Sequence, residues 1–144
     1  MKIYTIGFTK KSASAFFELL NKSAAERLVD VRLNNVSQLA GFTKRDDLKY
    51  FLAELCSMDY VHELQLAPTQ TMLDEYKKHR ASWRDYERWF LDLVRERRIE
   101  TTVPRELIAN SVLLCSEATP HHCHRRLAAD YLAEHWGGVT IEHL

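Results

Sequence analysis

The chain has 144 residues, 46% of them hydrophobic, which is the size of one domain able to bury a core without disulfide staples. Twenty Lys and Arg against twenty Asp and Glu give a formal charge of zero, so no overall field draws the chain to nucleic acid or anionic lipid. No apolar run approaches the roughly 20 residues of a bilayer span, and the start MKIYTIGF is a strand pattern rather than a leader, so one soluble cytoplasmic domain over 1–144 is expected.

Lys2–Phe8 is rich in β-branched and aromatic residues and predicts a first strand with a turn at Gly7. A helix follows from about Ser12 on the stripe Phe16, Phe17, Leu19 and Leu20, then a buried strand at Arg27–Arg32. Leu33–Gly41 reads as a loop, Thr43–Cys56 as a helix and Asp59–Leu64 as a third strand. Two helical patterns fill Thr69 to Glu100, parted near Ala81 and Ser82. Ser111–Glu117 has the unbroken apolar run of a strand covered on both faces. A helix over Pro120–Trp136 is expected, with Thr119 as cap, Pro120 at its first position and Gly137 and Gly138 as its stop. Val139–Glu142 closes the chain as a short strand. Strands alternating with helices predict an α/β fold: a mostly parallel sheet of about five strands with helices on both faces.

Ligands of open α/β sheets collect at the carboxyl ends of the strands. Gly7, the pair Asp30 and Arg32, and the pair Cys115 and Glu117 all fall at such ends. The segment after Glu117 holds His121, His122, His124, Arg125 and Arg126 and no carboxylate, the opposite of what a helix N-terminus recruits for stability. An anion among those cations would account for it. Arg32 and Arg125 are then the clamp for a phosphate or carboxylate, with Gly7 and His62 beside them, and Glu117, His124 and Asp30 are candidates to move protons.

Cys123 has two readings, a thiol activated by cations and helix dipole or a packed residue on the buried stripe with Leu127 and Tyr131. Cys115, within SVLLC, most simply fills the core, and Cys56 packs in its helix. The cysteine-phosphatase spacing, with Arg six positions after Cys, is absent, since those positions hold His121 and Ala129. Cys115, Glu117, His121, His122, Cys123 and His124 are metal-ligand types, but they form no C-x2-C pair, so no bound metal is expected. A redox or metal role for Cys115 and Cys123 is kept as an alternative, and no cofactor is named. The helix with Trp83, Tyr86 and Trp89 carries Arg84, Arg88, Arg95, Arg97 and Arg98, which suggests nucleic acid; interleaved acids favour a core face and a salt-bridged outer face instead.

Three motifs resemble the DUF488 family of bacterial and archaeal proteins, a domain of unknown function. They are TIGF at Thr5–Phe8, Asp30-Val31-Arg32 with Ser37 at the family spacing, and Cys115-x-Glu117-x-x-Pro120-x-x-Cys123-His124-Arg125. Asn35 stands where the family usually has proline, and Gln65 and Leu66 where it commonly has Gly-Gly. The resemblance implies the α/β fold and the shared site, and no reaction. The reading that results is an enzyme for a small anionic, phosphate-bearing or nucleotide-like substrate, with a nucleic-acid-binding module as rival.

Overall fold

The computed structural model describes the side chains of residues 1–37 and 41–144. Five strands, β1 (Lys2–Gly7), β2 (Arg27–Asp30), β3 (Asp59–His62), β4 (Ser111–Cys115) and β5 (Thr140–His143), form one sheet in the order β3-β2-β4-β1-β5. Every pairing is parallel, with Ile3 opposite Ser111 and Gly7 opposite Cys115 in the central pair, so the sheet is fully rather than mostly parallel.

The two-residue period of the strands divides the core. Tyr4, Ile6, Leu28, Val112 and Leu114 point to one face, where they meet Phe16, Phe17 and Leu20 of α1 (Ala13–Lys22). Leu48 of α2 (Arg45–Phe51) and Leu52, in the π turn Leu52–Cys56 that continues it, complete that layer. Ile3, Val29 and Leu113 point to the other face, against Phe90 and Val94 of α4 (Trp83–Arg97) and Leu127 and Leu132 of α7 (His124–Trp136). Between β3 and α4 lies α3 (Gln70–Lys77), which begins at Thr69, whose hydroxyl accepts from the Met72 amide. Ser82 and Asp85 form a reciprocal capping box at the start of α4, which fixes the break read near Ala81 and Ser82. Two one-turn helices that the sequence pattern did not reveal, α5 (Ile99–Thr102) and α6 (Arg105–Ile108), carry the chain to β4.

The final helix starts later than its sequence signals predict. Thr119 and Pro120 do not cap it; Cys123 is its N-cap and His124 its first residue. The cause is in the side chains. Arg126 donates through Nε to the Pro120 carbonyl at 3.2 Å and through Nη2 to the His121 carbonyl at 3.2 Å, and so takes acceptors that a longer helix would use for itself. His122 meanwhile stacks on Trp83, with ring centroids 5.0 Å apart, which draws the segment across to α4. Among the described residues no helix is long and apolar enough to cross a membrane.

The connections leaving β1 and β4 run to opposite faces of the sheet, α1 to one and α7 to the other. Adjacent strands with that property open a crevice at their carboxyl ends. Gly7 and Cys115 sit opposite each other there.

Candidate functional site

Beside this crevice is a pocket of about 340 Å³. Its floor includes Cys115, Cys123 and His124, and its wall includes Tyr76, Trp83 and Tyr86 from α3 and α4. Leu33, Asn34 and Pro68 bring in the loops after β2 and β3, the segments where the chain departs from the family motifs. Lys77, His79, His122 and Glu117 add its charged and titratable groups.

The floor is held by the loop that follows β4. The Ser116 carbonyl accepts from the Thr9 amide at 3.0 Å, the Glu117 carbonyl from Arg125 Nη1 at 2.7 Å, and the Ala118 carbonyl from Lys11 Nζ at 3.5 Å. The Glu117 carbonyl crosses so close to Gly7 that a Cβ there would lie 1.5 Å from its oxygen. Gly7 therefore serves the site by having no side chain, which lets the loop pass directly over the end of β1.

Arg125 is wholly buried. Its Nε donates to Thr5 Oγ1 at 3.3 Å and its Nη1 reaches Cys123 Sγ at 3.4 Å as well as the Glu117 carbonyl. Among the described residues no carboxylate lies within ion-pair distance of it. A buried cation without a counter-charge costs several kcal/mol, on the order of a broken buried ion pair. The groups beside it able to become anionic are the thiols.

His124 completes the cluster. Its Nε2 donates to the Val31 carbonyl at 2.8 Å, so the neutral ring presents Nδ1 as an acceptor, 3.4 Å from Cys115 Sγ. Phe90 packs on the ring, with centroids 5.3 Å apart. The Cys115 thiol is held below its ordinary value despite complete burial, first by the hydrogen bond from Cys123, then by the Ser116 backbone amide, the Arg125 charge and the Glu117 amide. Burial pushes the Cys123 thiol well up, and its bond to Cys115 adds to the rise. Of the two thiols, Cys115 is therefore the one whose proton is held less tightly. Cys115 packs in the core, as its place in SVLLC predicts, and its sulfur also faces the pocket. Sulfur and nitrogen atoms of Cys115, Cys123 and His124 lie within 4.8 Å of one another and could hold a metal, although Arg125 already places a positive charge against one of the sulfurs.

Asp30 and Arg32 form a second, separate network. Arg32 donates to both carboxylate oxygens of Asp30, through Nε at 2.9 Å and Nη2 at 2.8 Å, and its Nη2 also donates to the Thr43 carbonyl at 2.7 Å. Tyr60 donates to Asp30 Oδ2 at 2.6 Å, and Asn35 Nδ2 donates to the Tyr60 hydroxyl at 3.0 Å. Both charged side chains are buried, and Asp30 does not line the pocket. Arg32 touches the pocket wall with its donors engaged internally, so it is not poised as an open clamp. His62 donates to the Arg32 carbonyl at 2.6 Å and lies outside the pocket lining. The residues predicted as one site therefore divide in two: Glu117, Cys123, His124 and Arg125 over Gly7, and Asp30, Arg32 and His62 beside them.

On α4, Arg88 and Arg95 pair with Asp85 and Asp92, and Arg97 donates to the carbonyls of Leu64, Gln65 and Ala67. Three of the arginines that suggested nucleic acid are thus bound within the chain. Sequence reading missed Thr5, Tyr60, Lys77 and His79. Thr5 had a usable signal, since it shares the inward face of β1 with Gly7.

An all-parallel α/β domain with a buried thiol–imidazole–guanidinium cluster at its strand ends is the class this fold and site define. Residues 12–132 match the family described as Domain of unknown function DUF488, and the chain belongs to that family. Comparison with curated proteins finds no match, and comparison with solved structures finds none.

Proposed function

We propose that the protein is a thiol-dependent enzyme acting on a small molecule, with Cys115 as nucleophile, His124 as the base that takes its proton and Arg125 as the buried counter-charge. One observation carries this reading: Arg125 is wholly buried, has no carboxylate within ion-pair distance among the described residues, and meets the sulfur of Cys123, which lines a pocket with Cys115. A thiolate offsets the cost of that buried guanidinium, and thiolate is the reactive form of cysteine. The pocket falls at the small end of the ~300–1,000 Å³ typical of small-molecule sites. An electrophilic atom over Cys115 would receive the sulfur, and Glu117, exposed at the same pocket, would exchange protons with the substrate.

An anionic substituent on the substrate remains part of the reading, now directed to Lys77, His79 and His122 on the pocket wall. Arg32 and Arg125 act behind the surface, holding the loops and the thiols. Nucleic acid is the weaker alternative, given the internal pairing along α4.

Labelling with iodoacetamide, a small neutral reagent, tests this across pH. The groups facing Cys115 are Cys123, His124 and Arg125 from α7, Glu117 from the loop, and Tyr86 from α4. A thiol pKa below the ordinary ~8.5 makes Cys115 labelling half-maximal at a lower pH than that. Cys56, half-buried and with its thiol pushed up by burial, should label only at higher pH. Faster labelling of Cys56 than of Cys115 at neutral pH would refute the proposal.

A further inference from the structure

Cys123 does more than donate a hydrogen bond. N-cap positions favour Ser, Thr, Asp or Asn, whose oxygen accepts from the helix amides, and the exchange for a residue that does not cap costs about 1 kcal/mol. Here the N-cap of a thirteen-residue helix is a cysteine that makes no capping bond. Its sulfur turns instead to Arg125 Nη1 and lies within 4.8 Å of Cys115 Sγ. The two thiols are joined by the loop 116–122, and Cys115 ends a strand fixed at the centre of the sheet. Two thiols at that separation, with a base on one and a cation on the other, have the layout of a couple that can close into a disulfide.

We propose that Cys123 is the resolving thiol of Cys115, and that the centre reduces small organic hydroperoxides at the expense of a small dithiol. This rests on Cys115 being the nucleophile of the pocket. Cys115 is 5% exposed, at the floor of a pocket with aromatic walls, so its partner must present the reacting atom on a slender terminus. The terminal oxygen of a hydroperoxide has that shape, with an apolar body to lie against Leu73, Tyr76 and Trp83.

The steps balance as follows. His124 takes the Cys115 proton; the thiolate attacks the terminal oxygen, the O–O bond breaks, and the alkoxide leaves with the proton returned by His124. Cys115 is then a sulfenic acid and the peroxide has become an alcohol. The Cys123 sulfur attacks Cys115 Sγ, the S–O bond breaks, and hydroxide leaves with the Cys123 proton as water. The two thiols have supplied the two electrons and ended as a disulfide, and a dithiol restores both by exchange while itself closing to a disulfide.

The reduced full-length chain is treated with one equivalent of tert-butyl hydroperoxide, and thiols are counted after denaturation. Two thiols should disappear per peroxide, and non-reducing peptide mapping should join Cys115 to Cys123. Cys56→Ser should leave that link unchanged. Cys123→Ser should consume one thiol and leave a Cys115 sulfenic acid that dimedone traps. A link through Cys56, a link between chains, or a single thiol lost in the unaltered protein would overturn the proposal. So would one equivalent of tightly bound zinc that protects both thiols until chelated. If iodoacetamide still labels Cys115 first while no disulfide forms, the nucleophile stands and the resolving role falls; if Cys115 labels no faster than Cys56, both fall.

Discussion

Gly7→Ala is the smallest change that should disable the site from the neighbouring strand. The new methyl would fall 1.5 Å from the Glu117 carbonyl oxygen and 2.9 Å from Arg125 Nη1. Ordinary contact between such atoms begins near 3.5 Å, so the loop must retreat by about 2 Å. That movement breaks the 2.7 Å bond from Arg125 Nη1 to the Glu117 carbonyl. A hydrogen bond to a charged group is worth about 1.5–3 kcal/mol, and leaving a buried guanidinium donor unsatisfied puts the cost at the upper end. The same retreat carries the Ser116 and Glu117 amides away from Cys115 Sγ, whose thiolate they support. Urea denaturation of the purified variant should therefore show a loss of about 2–4 kcal/mol. Iodoacetamide labelling of Cys115 at neutral pH should slow by about tenfold for each unit that its thiol pKa rises. A variant with stability within about 0.5 kcal/mol of the parent and unchanged labelling would refute the argument that close passage of this loop builds the site.

Asp30→Asn leaves Arg32 buried with one anionic partner removed, and the expected destabilisation, read by denaturation, is about 3–5 kcal/mol. Because Asp30 lies outside the pocket lining, Cys115 labelling in the surviving folded fraction should be unchanged. Glu117→Gln acts the other way: the side chain is exposed and its structural bonds come from the backbone, so stability should shift by less than about 0.5 kcal/mol while turnover of any identified substrate falls. Arg125→Met keeps the bulk but removes the charge, and the half-maximal pH for Cys115 labelling should rise toward the ordinary thiol value. By linkage, the stability that Cys115 gains from its lowered pKa is fully present above the unfolded thiol value and is lost as pH falls through the folded one, whereas Cys123, raised, contributes with the opposite sign. Global stability should therefore report the pair weakly near neutral pH, and residue-resolved labelling is the sharper measurement.

The architecture was legible because the relevant signals are local. Alternation in KIYTIG and the unbroken SVLLC segment identify the central pair of strands, and Ser12 and Ser82 cap the helices that their positions announce. The start of α7 was misread because Thr119 and Pro120 are correct local signals overridden by a nonlocal contact, the stacking of His122 on Trp83, and by Arg126 holding the Pro120 and His121 carbonyls. The split of the site into two networks was illegible for a related reason. Residues 30 and 32 lie on one side of the strand in a two-residue period, but β2 ends at Asp30, and beyond it Arg32 folds back on the carboxylate in a two-point bond.

What the sequence did contain was a charge imbalance between Cys115 and Arg126, and its interpretation changes with burial. Five basic or imidazole side chains and one carboxylate suggested an anion arriving from solvent. Once Arg125 is inside and Arg126 is bound to carbonyls and Asp130, the cation that still needs an anion is the buried one. The sulfur that touches this cation is that of Cys123, 3.4 Å from Arg125 Nη1, and the thiol whose proton is held less tightly is its neighbour Cys115, within 4.8 Å of Cys123 and 3.4 Å from His124 Nδ1. On the proposed reading, the anion inferred from the imbalance belongs to the chain itself: the sulfur of Cys115, packed in the core at the end of SVLLC.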